Sequence, residues 1–76
     1  ALVYHNFGLM SEENGELELA IDYYSKSIML APNETDSYIR RSAVYLAAGM
    51  NKLSEADTAT ALELGADRRD LSPVTK

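Results

Sequence analysis

Apolar residues recur at helical spacing in four segments of the chain, which are separated by turn residues. In the first segment, the i, i+3, i+4 and i+7 positions of one helical face are Tyr4, Phe7, Gly8 and Ser11. The stripe of the second segment is formed by Leu17, Ala20, Ile21, Tyr24 and Ile28. The remaining two segments carry comparable stripes, formed by Tyr38, Ser42 and Tyr45 and by Leu53, Ala56, Ala61 and Leu64. No segment alternates as a strand does, so the chain is predicted to be all-α.

Turn and capping residues predict where the four helices end. Gly15 and Gly49 end the first and third helices, because glycine adopts the left-handed conformation of a helix C-terminus without Cβ strain. Pro32 follows the second helix. The expected N-caps of the third and fourth helices are Thr35 or Asp36 and Asn51 or Ser54. The predicted helices cover about residues 2–14, 17–30, 35–48 and 51–65.

The four helices form two copies of one pattern. When the sequence is shifted by 34 positions, identical residues coincide in the pairs Tyr4/Tyr38, Gly15/Gly49, Leu19/Leu53 and Leu30/Leu64. Each pair lies where a helical hairpin needs that residue type, on a helix face or at a helix end. We therefore predict two helix-turn-helix units, residues 1–34 and 35–68. A polar tail, or the start of a truncated capping helix, is expected to follow at 69–76.

The first unit resembles the tetratricopeptide repeat, matching its 34-residue pattern at Tyr4, Asn6, Phe7, Gly8, Gly15, Ala20, Tyr24 and Pro32. Residues 20–28 are especially similar to the second helix of that family. The second unit is a looser copy, in which Thr58, Ser54 and Ala66 replace the usual aromatic residue, alanine and proline. The resemblance implies two repeats stacked as an α-α superhelix, a fragment of a right-handed solenoid.

The resemblance also implies a concave groove, lined by the first helix of each repeat, where such proteins bind partners. The expected lining residues are Leu2, His5, Asn6, Leu9, Glu12 and Glu13 from the first unit and Asp36, Ile39, Arg40, Ala43, Leu46 and Ala47 from the second. This mixture suits a peptide or helix of a partner protein, such as an acidic or C-terminal segment. Asn6 and Arg40 match residues with which some family members bind a terminal carboxylate, whereas Asp36 stands where those members have lysine.

The predicted function is a non-catalytic scaffold or adaptor module for protein–protein interaction. The alternative is a structural spacer or self-association unit of a longer helical repeat protein. That unit would make its contacts through an apolar edge of the last helix, formed by Leu53, Leu62 and Leu64. The chain would then be a homodimer or part of a longer array. Because the first residue is Ala1 rather than methionine, we expect a domain of a longer protein.

Composition narrows the possible chemistry. The 76-residue chain has 46% hydrophobic and 25% charged residues, as expected for a small globular domain with little room for a deep substrate cavity. The chain has no cysteine and one histidine, His5, which excludes disulfides, thiolate metal sites and two-histidine metal sites. The sequence shows no nucleophile–base pair with a third orienting group. We therefore expect neither enzymatic activity nor a cofactor.

Charge and hydropathy limit the partners and the compartment. The net charge of −5 argues against nucleic acid as a partner. No apolar run approaches the length of about 18 residues that a membrane span needs, so no membrane insertion is expected. The absence of cysteine is compatible with either side of a bacterial inner membrane, and the cytoplasm is slightly favoured. Arg41 falls at a core position, where its side chain is expected to reach water or pair with a nearby acid.

Overall fold

The computed structural model describes residues 2–65 and contains four α-helices in that range. They are α1 (Leu2–Glu13), α2 (Leu17–Leu30), α3 (Thr35–Ala47) and α4 (Asn51–Glu63). Each helix packs against the next one in chain order, α1 on α2, α2 on α3 and α3 on α4. The described part of the chain is therefore all-α, as the spacing of apolar residues predicted. Ala66 and the predicted tail at 69–76 lie outside the described residues.

Two glycines end α1 and α3 in the same way. Gly15 has a φ of +78° and Gly49 a φ of +81°, a conformation in which residues with a Cβ are strained. The amide of Glu16 donates to the carbonyl of Ser11 over 2.9 Å, and the amide of Met50 donates to the carbonyl of Tyr45 over 2.8 Å. These bonds satisfy carbonyls that the last helical turn leaves without a partner. The predicted roles of both glycines are confirmed.

The predicted N-caps of α3 and α4 are wrong. Glu34 and Met50 occupy the N-cap positions, and neither makes a side-chain capping hydrogen bond. Ser54, an expected cap of α4, instead lies inside the helix and is buried, with its Oγ 2.9 Å from Oγ of Ser42 in α3. Ser54 therefore bonds across the α3–α4 interface and does not cap its own helix. A buried hydroxyl needs a hydrogen-bond partner, and Ser42 supplies it.

The apolar core lies where α1, α2 and α3 meet. It is formed by the buried residues Ala20, Tyr24 and Val44, against which Leu9, Leu17 and Ile21 pack from their half-buried positions. Gly8 makes room for the Tyr24 ring, because a Cβ built on Gly8 would lie 2.5 Å from one ring carbon. Gly8 therefore admits an aromatic ring from α2 against the backbone of α1.

Side-chain pairs of the first hairpin recur in the second after 34 residues, with different chemistry. The rings of Phe7 and Tyr23 join α1 to α2 with their centroids 5.3 Å apart. The corresponding residues of α3 and α4 are Arg41 and Asp57, which form an ion pair with an N–O distance of 2.7 Å. Likewise, the contact of Gly8 with Tyr24 is replaced by a 2.8 Å contact between the hydroxyls of Ser42 and Thr58. The two hairpins therefore share a packing plan, and the second has a polar interior.

Candidate peptide-binding groove

α1 and α3 are joined through His5, one of the residues expected to line the groove. Its Nδ1 lies 3.2 Å from Oγ of Ser37 in α3, and this Oγ lies 2.9 Å from Oγ of Ser27 in α2. The His5 ring also packs on the ring of Tyr24, with 5.4 Å between the centroids. His5 is therefore half-buried between three helices, where it positions α1 relative to α3.

Tyr24 of α2 is buried against the His5 ring of α1 and hydrogen-bonds to the carboxylate of Glu12. Its hydroxyl donates to Oε1 of Glu12 over 2.6 Å. Burial raises the pKa of Tyr24, and the hydrogen bond and negative charge of Glu12 raise it further, while the positive charge of Arg40 opposes the rise. Tyr24 therefore remains a neutral hydrogen-bond donor at physiological pH. The helical spacing predicts a packing role for Tyr24 and gives no sign of its bond to Glu12.

Asn6 on α1 and Arg40 on α3 present polar groups that have no partner among residues 2–65. Both side chains are exposed, and neither makes a hydrogen bond or ion pair within this range. Asp36 is exposed one turn before Arg40 and is likewise not paired with it. The Arg40 guanidinium is thus available to a carboxylate, which it can hold by two parallel hydrogen bonds.

The other expected lining residues divide into exposed and half-buried ones. Leu2 is 67% exposed and Leu46 61% exposed, so each offers apolar surface to a ligand. The remaining exposed members are Glu13, Asp36, Ala43 and Ala47. Ile39 is half-buried, and Leu9 is half-buried because it packs on the Ala20–Tyr24–Val44 core. Leu9 therefore contributes to folding at least as much as to a ligand surface.

The predicted apolar edge of α4 is divided between two sides of the helix. Leu53 and Leu62 are nine residues apart, and at about 100° per residue their side chains point in opposite directions. Leu53 and Leu64 share one side and are 50% and 37% exposed, whereas Leu62 is half-buried. The residues 34 positions before Leu53 and Leu64 are Leu19 and Leu30, which are 41% and 63% exposed on α2. The second helix of each hairpin therefore exposes leucines at corresponding positions.

Arg41 forms the polar centre of the second hairpin and bonds to side chains of α2 and α4. Its guanidinium donates from Nε and Nη2 to the two carboxylate oxygens of Asp57 over 2.7 and 2.8 Å, and from Nη1 to Oγ of Ser25 over 2.9 Å. The hydrogen bond to Asp57 raises the pKa of Arg41, although burial opposes this rise. The predicted pairing of Arg41 with an acid is confirmed, and the pair holds α2, α3 and α4 together.

Residues 2–65 contain no group of three or more histidine, aspartate or glutamate side chains that could hold a metal ion. None of the helices in this range combines the length and the apolar character needed to cross a bilayer. Neither a family model nor a curated protein matches the chain. The function must therefore be argued from the residues themselves.

Proposed function

We propose that the chain is a non-catalytic protein–protein interaction module that binds a peptide or helix of a partner between α1 and α3. The observation that carries this proposal is the pair of exposed polar groups, Asn6 and Arg40, on these two helices. Neither group has a partner among the described residues, and His5 joins the two helices through Ser37. A free cation on α3, together with exposed leucines on α1 and α3, favours a ligand with both an acidic group and apolar side chains.

We further propose that the two hairpins are tetratricopeptide repeats stacked as an α-α superhelix. The support is the recurrence of turn geometry and side-chain pairing at the family's 34-residue interval. Gly15 and Gly49 have almost the same φ, and Phe7–Tyr23 and Arg41–Asp57 are corresponding pairs between helices. In such an arrangement α1 and α3 line the concave surface, which places Asn6 and Arg40 on it.

The ligand that fits best is an acidic or C-terminal peptide segment. Arg40 is the one groove cation, so it orients the ligand carboxylate, while Leu2 and Leu46 contact apolar side chains. The carboxylate of Glu12 makes no ion pair with Arg40 and is held by a hydrogen bond from Tyr24 at Oε1. Asp36 and Glu13 are exposed near the same surface and disfavour a ligand with several adjacent negative charges.

The test is partner capture from lysate of the source organism with wild-type, Arg40→Glu and Lys52→Glu proteins. Lys52 is the matched control because it is an exposed cation on α4, outside the groove. All three proteins should show equal helicity by circular dichroism, since neither side chain makes a hydrogen bond or ion pair among residues 2–65. We expect a protein that is retained by wild type and Lys52→Glu and lost with Arg40→Glu. Equal retention by all three would refute the role of Arg40.

A captured partner then allows a direct test of carboxylate recognition. Its C-terminal peptide is titrated by fluorescence anisotropy, once as the free acid and once as the amide. If Arg40 binds the terminal carboxylate, amidation should weaken binding about tenfold, which corresponds to about 1.4 kcal/mol. Amidation should then have little further effect on Arg40→Glu. Equal affinity of the acid and the amide for wild type would place the acidic group elsewhere in the ligand.

A second candidate function is self-association as a unit of a helical array. It is favoured by apolar side chains exposed outside the groove, including Leu53 at 50% and Met10 at 57%. Sedimentation velocity over a range of concentrations tests it directly. A sedimentation coefficient that rises with concentration supports self-association, and one that stays at the monomer value refutes it.

A further inference from the structure

The turn that ends α1 has an asparagine directly before its glycine. Asn14 precedes Gly15, whereas Ala48 precedes Gly49 in the corresponding turn of α3. No other asparagine of the chain is followed by glycine. Asn14 is exposed, and its side chain makes no hydrogen bond among residues 2–65. The side-chain amide of Asn14 is therefore free to rotate toward the backbone nitrogen that follows it.

This pair of residues permits a spontaneous reaction within the chain. The backbone nitrogen of Gly15 attacks Cγ of Asn14, so that a bond forms between these two atoms and the bond from Cγ to Nδ2 breaks. The proton of the Gly15 amide leaves with Nδ2 as ammonia, and the product is a five-membered succinimide ring. Water then opens the ring at either carbonyl and gives aspartate or isoaspartate. Glycine favours the attack because it carries no Cβ beside the attacking nitrogen.

In the folded turn, the attacking nitrogen is held by a hydrogen bond. The amide of Gly15 donates to the carbonyl of Glu12 over 3.0 Å, and the amide of Glu16 donates to the carbonyl of Ser11 over 2.9 Å. The attack requires the first of these bonds to break. Residues 13–16 are all exposed, and a Cβ built on Gly15 would meet no atom within 4 Å. Opening of the turn therefore breaks backbone hydrogen bonds without uncovering a buried side chain of residues 13–16, which makes it a low-energy local unfolding event.

We propose that Asn14 is a modification site, which converts spontaneously to aspartate or isoaspartate when the C-terminal turn of α1 opens. The corresponding turn at Gly49 has equivalent hydrogen bonds but cannot react, because Ala48 has no side-chain amide. Asn33 is also exposed in a turn, but Glu34 follows it and its side chain hinders the attack. The proposal depends neither on the groove between α1 and α3 nor on self-association.

Conversion should loosen the end of α1. The new carboxylate lies at the negative end of the helix dipole, where the last turn already carries Glu12 and Glu13 and has no basic residue. Isoaspartate also lengthens the backbone by a methylene group, so the amide of Glu16 loses the spacing that brings it to the carbonyl of Ser11. Because Glu12 in this turn accepts the hydrogen bond of Tyr24, the contact between α1 and α2 should weaken as well.

The experiment is incubation of the full chain at neutral pH, followed by peptide mapping with mass spectrometry that distinguishes asparagine, aspartate and isoaspartate. Asn33 of the same chain is the internal control. The variant Ala48→Asn places asparagine before Gly49 and should create a second reactive site in the corresponding turn. We expect conversion at Asn14 and at position 48 of the variant, and an intact amide at Asn33. If Asn14 keeps its amide as long as Asn33 does, the proposal is overturned.

Incubation in unfolding urea tests whether the turn controls the reaction. Conversion of Asn14 should then be several-fold faster than in the folded protein, because the Gly15 nitrogen is free. Equal rates in the two states would contradict control by opening of the turn.

The effect of the added charge is measured with Asn14→Asp, and Asn51→Asp is the matched control because Asn51 is exposed and begins α4. A negative charge is unfavourable at the end of a helix and favourable at its beginning. We therefore expect the urea midpoint to fall for Asn14→Asp and not for Asn51→Asp. An unchanged midpoint for Asn14→Asp would refute the loosening of α1 by the new charge.

Discussion

Removing the carboxylate of Asp57 should destabilise the protein more than a change at an exposed aspartate. Asp57 is 7% exposed in its side chain and accepts two hydrogen bonds from Arg41, which is itself 18% exposed. In Asp57→Ala the guanidinium keeps only its bond to Ser25, which uses one of its three nitrogens. A cation is then left in the interior with most of its hydrogen bonds lost.

The expected loss in the free energy of unfolding is the cost of breaking the ion pair less the gain in helix propensity. Removing one partner of a buried ion pair costs about 3–5 kcal/mol, and the partly exposed guanidinium favours the lower end because it retains some water. Alanine is a better helix former than aspartate by about 0.5 kcal/mol, which reduces the loss to about 2–3 kcal/mol. A domain of this size has a free energy of unfolding of roughly 3–5 kcal/mol. Asp57→Ala should therefore be only marginally folded at 25 °C.

The first hairpin supplies the substitution that should restore stability. Phe7 and Tyr23 occupy the positions that Arg41 and Asp57 occupy in the second hairpin. The double variant Arg41→Phe/Asp57→Tyr therefore copies a packed aromatic pair into the corresponding site. Replacing a buried ion pair by apolar residues is commonly neutral or stabilising by about 1–4 kcal/mol. We expect the double variant to be at least as stable as wild type.

Urea unfolding followed by circular dichroism measures these differences. The matched control is Asp22→Ala, a change at an exposed aspartate inside α2, which should stabilise by about 0.5 kcal/mol. A loss below about 1 kcal/mol for Asp57→Ala would show that the ion pair contributes little to folding. A double variant less stable than Asp57→Ala would refute the claim that the two hairpins share one packing plan.

Three further predictions concern the core and its hydroxyls. Gly8→Ala should destabilise by about 1–3 kcal/mol in urea unfolding, because its Cβ would lie within 2.8 Å of three Tyr24 ring carbons; no loss would show that the ring moves freely. Burial raises the pKa of Tyr24, so wild type should lose stability as pH rises above the ordinary value of about 10, and Tyr24→Phe should lose less; parallel pH profiles would contradict this. Ser42→Ala should cost about 1 kcal/mol by removing bonds to Ser54 and Thr58, and an unchanged urea midpoint would refute it.

The helices themselves were predictable because their signals are local. The 3.6-residue spacing of apolar positions depends on nearby residues, and Gly15 and Gly49 act through their own backbone angles. The N-caps were not predictable in the same way. Serine is a common N-cap residue, but the Ser54 hydroxyl bonds to Ser42 across the α3–α4 interface. A partner distant in sequence therefore takes the place of a backbone amide in its own helix.

For the residues of the candidate groove, helix spacing predicts exposure at some positions and predicts none of their contacts. Asn6 and Arg40 are exposed on α1 and α3, whereas Leu9 is drawn partly into the core. The bond from Tyr24 to Glu12 spans 12 residues, and the contact of His5 with Ser37 spans 32. No local pattern specifies such partners, because they depend on how one helix is rotated and placed against another.

By itself, the sequence determined that the chain forms four helices in two similar hairpins, since helix periodicity and glycine turns are encoded within a few residues of each position. Only the tertiary structure decided how each interior is held together. Phe7 meets Tyr23 in one hairpin, and at the matching positions Arg41 meets Asp57 in the other. The packing plan recurs because the backbone geometry recurs. The chemistry of each pair differs because a buried site requires only that neighbouring side chains fill the space and that each buried polar group has a hydrogen-bond partner.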